Sequence, residues 1–377
     1  MAGPHVYVIS RRDDASLEDD IREALDKLPA PVAPGQVLLK PNMLREAHIL
    51  RDGEHEQVIT QPEVLVPVAR WARQRLCPNH LVLADAPEAS ADIGLVMERN
   101  GVRAIFEDPE VAPDRFEDLR LVRYVQKDGV PTDRIPLPGD SRGTVRVAVH
   151  GHSAFVTHDQ HRYYGADYDI TETNIHHRGD VHEYMFSGTA LESDLVINLP
   201  KMKSHKKAGV TLSLKNLVGL NGNKNWLPHH SIGTPRQGGD AYRGDDRKAR
   251  LESVLLNRIK PLVKDNKLAS TLFSSFKRGG AQVFGDTQET VRSGNWHGND
   301  TIWRMILDLN RILVYGTVQG TLASTPQRAA WSVVDGIVAG DGNGPEAPDR
   351  VDAGLVVVGD SFAAVDLVCT RLMGFDW

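Results

Sequence analysis

Cysteine is nearly absent: 377 residues hold two, Cys77 and Cys369. Two thiols cannot supply an iron–sulfur cluster or a cysteine-based zinc site. Both fall in apolar helical patterns, which predicts two reduced core thiols. Any metal centre must then draw on His, Asp and Glu. Long apolar runs are missing too, so no segment is expected to cross a bilayer. The N-terminus, "MAGPHVYVISRRDDAS", has no apolar signal core and runs straight into a strand-like segment, which points to a soluble, cytoplasmic protein. There is no excess of positive charge. Lys and Arg total 44 against 50 Asp and Glu, a formal net charge of -6, which argues against nucleic acid or a membrane surface as partner. Internal repeats and low-complexity segments are absent.

What is present is ordinary globular composition, 41% apolar and 25% charged, enough for one large α/β domain or two lobes sharing a sheet. "HVYVIS" (5–10), "QVLLK" (36–40) and "HLVLAD" (80–85) read as strands. "SLEDDIREALDKL" (16–28), with Ser16 as N-cap, and "QPEVLVPVARWARQRL" (61–76), with Pro62 in its first turn, read as the helices between them. That alternation predicts a mostly parallel, Rossmann-like sheet with crossover helices. Residues 1–106 form a first α/β half and 107–185 a β-rich or irregular insertion. Residues 186–377 form a second half with a polar excursion over 221–298, helical around 249–263. "VTLSLKNLVGL" (210–220) reads as a helix. "DTIWRMILDLNRILVYG" (300–316) is another, capped by Asp300. "AAWSVVDGIVAGDGNGP" (329–345) reads as a strand entering a glycine-rich loop.

Active residues in such sheets gather past the carboxyl ends of the strands. Here those ends read Lys40-Pro41-Asn42, Asp85-Ala86-Pro87 and Pro200-Lys201. The stretch "LPKMKSHKKAGVTLSLKNLVGLNGNKNWLPHH" (199–230) holds six lysines and three histidines, directly after the buried run "DLVINL". Lys201, Lys203 and His205 alternate, so an extended chain points all three to one side. Lys215, beside Asn216, lies among Leu212, Leu214, Leu217 and Val218, which leave little room for a polar face. A lysine there either snorkels to a solvated face or is functional. A buried lysine has a depressed pKa and serves as nucleophile, base or attachment point.

"NKNWLPHH" adds Lys224, Trp226, His229 and His230. Adjacent histidines point apart, so at most one shares a metal with His205. "HHRGDVHEY" (176–184) lacks the helical spacing of H-E-x-x-H, which excludes a zincin. "DGIVAGDGNGP" (335–345) fits neither the dinucleotide nor the P-loop fingerprint. Its Gly340, Gly342 and Asn343 still allow a backbone to approach an anion closely. Its Asp335 and Asp341 either hold a metal or cap turns. In "GNWHGNDTIWR" (294–304), Trp296, His297 and Asn299 read as a pocket wall.

"VLLKPNM", "DLVINLPKMKSHKKAGVTLSLKNLVGLNG", "GNWHGNDTIWRMILDLNRIL", "DGIVAGDGNGP" and "AAVDLVCTRLMGFD" together resemble the domain-of-unknown-function family 362. The resemblance implies an α/β fold and a cytoplasmic protein, and no known reaction. Some members carry ferredoxin-type cysteine clusters, which this sequence lacks. Members usually continue past "GFDW", where this sequence stops. "SHKKAGVTLSLKNLVG" is also similar to the histidine–glycine–lysine segment of the nickel-dependent lactate racemase family. That likeness implies His205 as metal ligand, Lys215 as the cofactor-bearing lysine, and His229 or His230 as a further ligand.

The expectation is an enzyme acting on a small anionic ligand that bears a phosphate or carboxylate. His205, Lys215 and Lys203 are its catalytic candidates. Lys40, Asn42, Lys201, Asn216, Gly340, Gly342 and Asn343 are its binding candidates. A divalent metal, if one is used, falls to His205, His229, His230 and Asp335. Metal-assisted isomerisation, redox chemistry and group transfer remain open. The rival readings are a non-catalytic metal- or anion-binding accessory protein, and lysines scattered over a solvated surface.

Overall fold

The computed structural model describes residues 3–11, 16–127, 130–158, 162–167, 169–245, 247, 249–251, 253 and 293–376. A ten-stranded mixed sheet organises them. In chain order its strands are β1 (Val6–Ser10), β2 (Gln36–Pro41), β3 (His80–Asp85), β4 (Arg115–Asp118), β5 (Leu195–Leu199), β6 (Lys201–His205), β7 (Gly209–Thr211), β8 (Ala329–Asn343), β9 (Ala347–Val351) and β10 (Leu355–Gly359). They lie in the order β1-β10-β8-β5-β2-β3-β4, with β6 on β8 and β7, and β9 on β8. The run β8-β5-β2-β3-β4 is parallel, as is β6 on β8. The pairs β1–β10, β10–β8, β8–β9 and β6–β7 are antiparallel.

The apolar runs of β2, β3 and β5 read as continuous because helices and loops cover both faces of the sheet. Val37, Leu39, Leu81, Leu83, Leu195 and Ile197 pack into one core, with the helices Leu17–Asp26 and Pro62–Trp71 over them. Leu38, Val82 and Val196, one residue out of phase, face the opposite core under the helix Ile302–Tyr315. Ser16 accepts the Asp19 N–H as the first helix's cap, and Pro62 opens the second. No helix among the described residues is long and apolar enough to cross a membrane.

Several expectations shift. Residues 107–185 begin with β4, which belongs to the main sheet. The remainder supplies small antiparallel sheets: Val122–Lys127 with Val130–Pro136, and Thr144–Ala148 with Val181–Ser187 and His177–Arg178. Residues 210–220 do not form one helix. The chain first pairs as β7, then turns once through Ser213–Asn216 and a 3-10 turn Leu217–Leu220. The glycines of 335–345 lie mainly in a β8–β9 hairpin and not in a loop. Thr301, not Asp300, is the N-cap residue of the helix Ile302–Tyr315, and Asn299 Oδ1 accepts the Thr301 and Ile302 N–H groups ahead of it. Cys369 is buried, but Cys77 is exposed, at the left-handed end of a π-turn over Ala72–Leu76. The expected helix around 249–263 lies mostly outside the described residues.

Candidate functional site

A cavity of about 1050 Å³ opens where the carboxyl ends of β2 and β3 meet the segments after β5 and β8. Lys40, Asn42, Asp85, Lys203, His205, Lys215, Asn216, Lys224, His229, His230 and Asn343 all line it. The stretch 199–230 contributes several of the lining residues, because it runs on through β6 and β7 from the end of β5, where parallel strands place such sites.

The floor is a buried polar network. Lys40 Nζ lies 2.8 Å from Asp85 Oδ1, both side chains being shut off from solvent. Lys40 also donates to the Pro41 carbonyl, and Asp85 Oδ2 accepts the Met43 N–H. Burial pulls the Lys40 pKa down and the Asp85 charge pulls it back up. Gly219 exists for this pair, since a Cβ there would stand 1.9 Å from Asp85 Oδ1 and 2.7 Å from Lys40 Nζ. Gly219→Ala is therefore expected to part the two charges and to cost about 2–4 kcal/mol in a denaturant melt. Beside the pair runs an amide chain. Asn42 Nδ2 donates to Asn216 Oδ1 at 2.8 Å, and Asn216 Nδ2 donates to Asn198 Oδ1 at 2.7 Å. Asn198 Nδ2 ends on the Ser213 carbonyl. Nothing in the sequence marked Asn198, which sits inside a buried strand run.

Lys201, Lys203 and His205 follow one face of β6 and meet different fates. Lys201 is wholly buried and is held by Asp335 Oδ2 at 2.7 Å. Neither residue lines the cavity. Lys203 Nζ donates to the Val58 carbonyl and, at 3.3 Å, to Asn42 Oδ1. Burial first, then the charges of Lys201 and Lys215, push its pKa well down. His205 reaches the cavity. Gly340, opposite Lys203 in the β6–β8 pairing, lets the strands close, since a Cβ would lie 3.0 Å from Lys203 Cβ. Gly342 accepts the Ser204 hydroxyl with its carbonyl. Neither glycine touches the cavity; Asn343, Gly344 and Pro345 do.

Lys215 is half-buried, and its ammonium opens on the cavity. It makes no hydrogen bond or ion pair among the described residues. Burial and then the charges of Lys224, Lys207 and Lys40 lower its pKa to about 7. Asp366 fixes its short helix by accepting the Ser213 and Leu214 N–H groups at 2.7 and 2.9 Å. That carboxylate lies in the "AAVDLVC" stretch, where only its polarity within an apolar helix hinted at a role. Lys224 Nζ is held by the carbonyls of Ala86, Val218 and Asn221, and burial first lowers its pKa to about 8.

The two cavity imidazoles carry opposite tautomers. His205 Nδ1 accepts from the Lys207 and Ala208 N–H groups at 3.1 and 3.2 Å, which leaves the proton on Nε2. His229 Nδ1 stands 2.8 Å from the Leu227 carbonyl and must donate to it, which leaves a lone pair on Nε2. Burial, and then the charge of Lys215, push both pKa values well below the ordinary imidazole range. Both rings are therefore neutral at pH 7, one a donor and one an acceptor toward the cavity.

The metal set expected from sequence is not assembled. Asp335 is bound to Lys201, to the Gln61 N–H and to the Ile337 N–H. His230 stacks on Tyr164, ring centroids 4.9 Å apart. His205 holds its proton on Nε2 and offers no lone pair there. Among the described residues no three His, Cys, Asp or Glu are grouped to hold a metal ion. The histidines of "HHRGDVHEY" serve packing. His182 stacks on Phe155 at 5.2 Å, and His177 reaches the Trp226 carbonyl. Trp296 and Asn299 brace the wall from behind, through the carbonyls of Asp240, His229 and Gly294, while Ser293 and Asn295 line the cavity.

The sequence model of the family described as domain of unknown function (DUF362) matches residues 119–371, two thirds of the chain. The chain belongs to the DUF362 family. No curated protein matches it. This DUF362 chain is also similar to a crystal structure of a Thermotoga maritima protein, a structural-genomics target, at 10% identity and a TM-score of 0.39. The match covers 95% of this chain and 58% of that one.

Proposed function

We propose that this DUF362 chain is an enzyme that binds a small phosphate- or carboxylate-bearing molecule in the cavity and moves protons on it. One observation carries the reading. Lys203, Lys215 and Lys224 share the cavity, and among the described residues no carboxylate lies within ion-pair distance of any of them. Uncompensated ammonium groups in a sheltered site are costly unless an anion completes them. The depressed pKa values of all three express that cost. In a chain of net charge -6, such a concentration of positive charge has a local purpose.

The opposed tautomers favour catalysis over binding alone. His229 Nε2 in this reading takes a proton, His205 Nε2–H holds a developing negative oxygen, and the lysine cluster fixes the ligand's charge. In this reading the sheet is Rossmann-like in its use of strand ends, the protein is soluble and cytoplasmic, and its partner is the small anion. Thermal shift with inorganic phosphate, pyrophosphate and small hydroxy acids tests it. At a hundred times its Kd a ligand adds about 2.7 kcal/mol, enough to move the melting point by several degrees. Lys224→Met should abolish the shift. No anion stabilising the wild type, or an unchanged shift in Lys224→Met, would remove the lysine cluster from any site.

A further inference from the structure

We propose that Lys215 is a Schiff-base nucleophile, and that the molecule taken by this cavity is an aldehyde or ketone carrying a phosphate or carboxylate. The proposal rests on the anion-binding reading and names the functional group that the anion brings with it.

Every ordinary duty of a sheltered lysine is missing at Lys215. Lys40 and Lys201 are paired with carboxylates, and Lys203 and Lys224 are held by carbonyl oxygens. Lys215 Nζ has neither kind of partner among the described residues. It faces a cavity in which Lys40, Lys207 and Lys224 all repel its proton, and its pKa near 7 leaves much of it as free amine at neutral pH. A free amine on a helix pinned by Asp366, beside Lys224 with its pKa near 8, is the arrangement that makes a lysine attack carbonyls. Lys224, whose pKa stays near 8, then fixes the substrate's anion away from the reacting carbon, as remote binding energy requires.

The step balances without a further reagent. The Lys215 lone pair attacks the carbonyl carbon, a C–N bond forms, and the C=O π pair moves to oxygen. His205 Nε2–H steadies that oxygen by hydrogen bonding and keeps its proton. His229 Nε2 accepts one proton from nitrogen and delivers it to oxygen, giving the carbinolamine. It then carries the second, and the hydroxyl leaves as water as C=N forms. Amine and carbonyl have become imine and water, with no change of oxidation state.

The full chain is incubated with limiting pyridoxal 5′-phosphate, glyoxylate or, as an uncharged control, propionaldehyde. Each is reduced with borohydride, and the adduct is located by peptide mass spectrometry. The expected result is one adduct on Lys215 with the two anionic aldehydes. It should form at least tenfold faster than on any surface lysine, with a rate midpoint near pH 7 and protection by inorganic phosphate. Propionaldehyde should label at least tenfold less. Adducts spread over surface lysines with Lys215 unmodified would overturn the proposal. If phosphate still stabilises the protein in that case, the anion site survives and only the Schiff base is lost. If phosphate does nothing either, both readings fall.

Discussion

Lys215→Met is expected to make the ligand-free protein more stable while it removes the amine that would take an aldehyde. An ordinary buried lysine behaves the other way, because its removal breaks a pair. Here the folded pKa is about 7 against an ordinary value of 10.5, so folding has to carry an ammonium into a site that disfavours it. Below pH 7 the lysine is charged in both the folded and the unfolded chain, and the cost is present in full. Between pH 7 and about 10.5 the folded protein sheds the proton before the unfolded chain does, and the cost fades. The advantage of the Met variant should therefore be largest near pH 6 and shrink toward pH 10. The drop from 10.5 to about 7 sets a ceiling of about 5 kcal/mol. Because the cavity admits solvent to the ammonium, the expected gain is on the order of 2 kcal/mol. Urea melts of both proteins at pH 6, 8 and 10 measure it. A variant less stable than wild type at pH 6 would mean that Lys215 has a stabilising partner and is not held for a ligand. Stability given up at one position in exchange for binding is the signature of a functional residue.

The same lysines show how far the sequence alone reaches. Alternation after Pro200 placed 201, 203 and 205 on one face, and they are on one face, because strand geometry follows from period two. Which of them reaches the ligand was not legible. Asp335, 134 positions away, takes Lys201, and that partnership depends on β6 and β8 lying side by side with an irregular register between Lys201 and Lys203. The strand ends Lys40 and Asp85 were visible as strand ends, but not as a pair, which needs the contact at Gly219. The stretch 210–220 looked helical by its leucine spacing, yet pairing with β6 claims its first residues and Asp366 starts the helix late. The imidazole tautomers are beyond any sequence pattern, being set by the Leu227 carbonyl and the N–H groups of residues 207 and 208. The expected metal set is not assembled for the same reason: Asp335 is taken by Lys201 and two backbone N–H groups, and among the described residues no three His, Cys, Asp or Glu are grouped.

Asp335→Asn, in contrast to Lys215→Met, is expected to be among the most damaging single changes in the chain. Its carboxylate is fully buried and accepts from Lys201 Nζ at 2.7 Å, the Gln61 N–H at 2.8 Å and the Ile337 N–H at 3.2 Å. An amide presents one acceptor oxygen and a donor group that collides with these donors. Lys201 is left inside the protein without a counter-charge, and the expected loss is about 3–5 kcal/mol. Lys201→Met should cost less, about 1–3 kcal/mol, because the carboxylate keeps its two backbone donors and the methionine stem fills the lysine's track. The order Asp335→Asn worse than Lys201→Met, both worse than wild type, is read from urea midpoints at unchanged slope. Equal losses would mean that the backbone donors contribute nothing. A Lys201→Met variant that also gains stability near pH 6 would erase the distinction drawn between the lysine that braces the sheet and the lysine that serves the cavity.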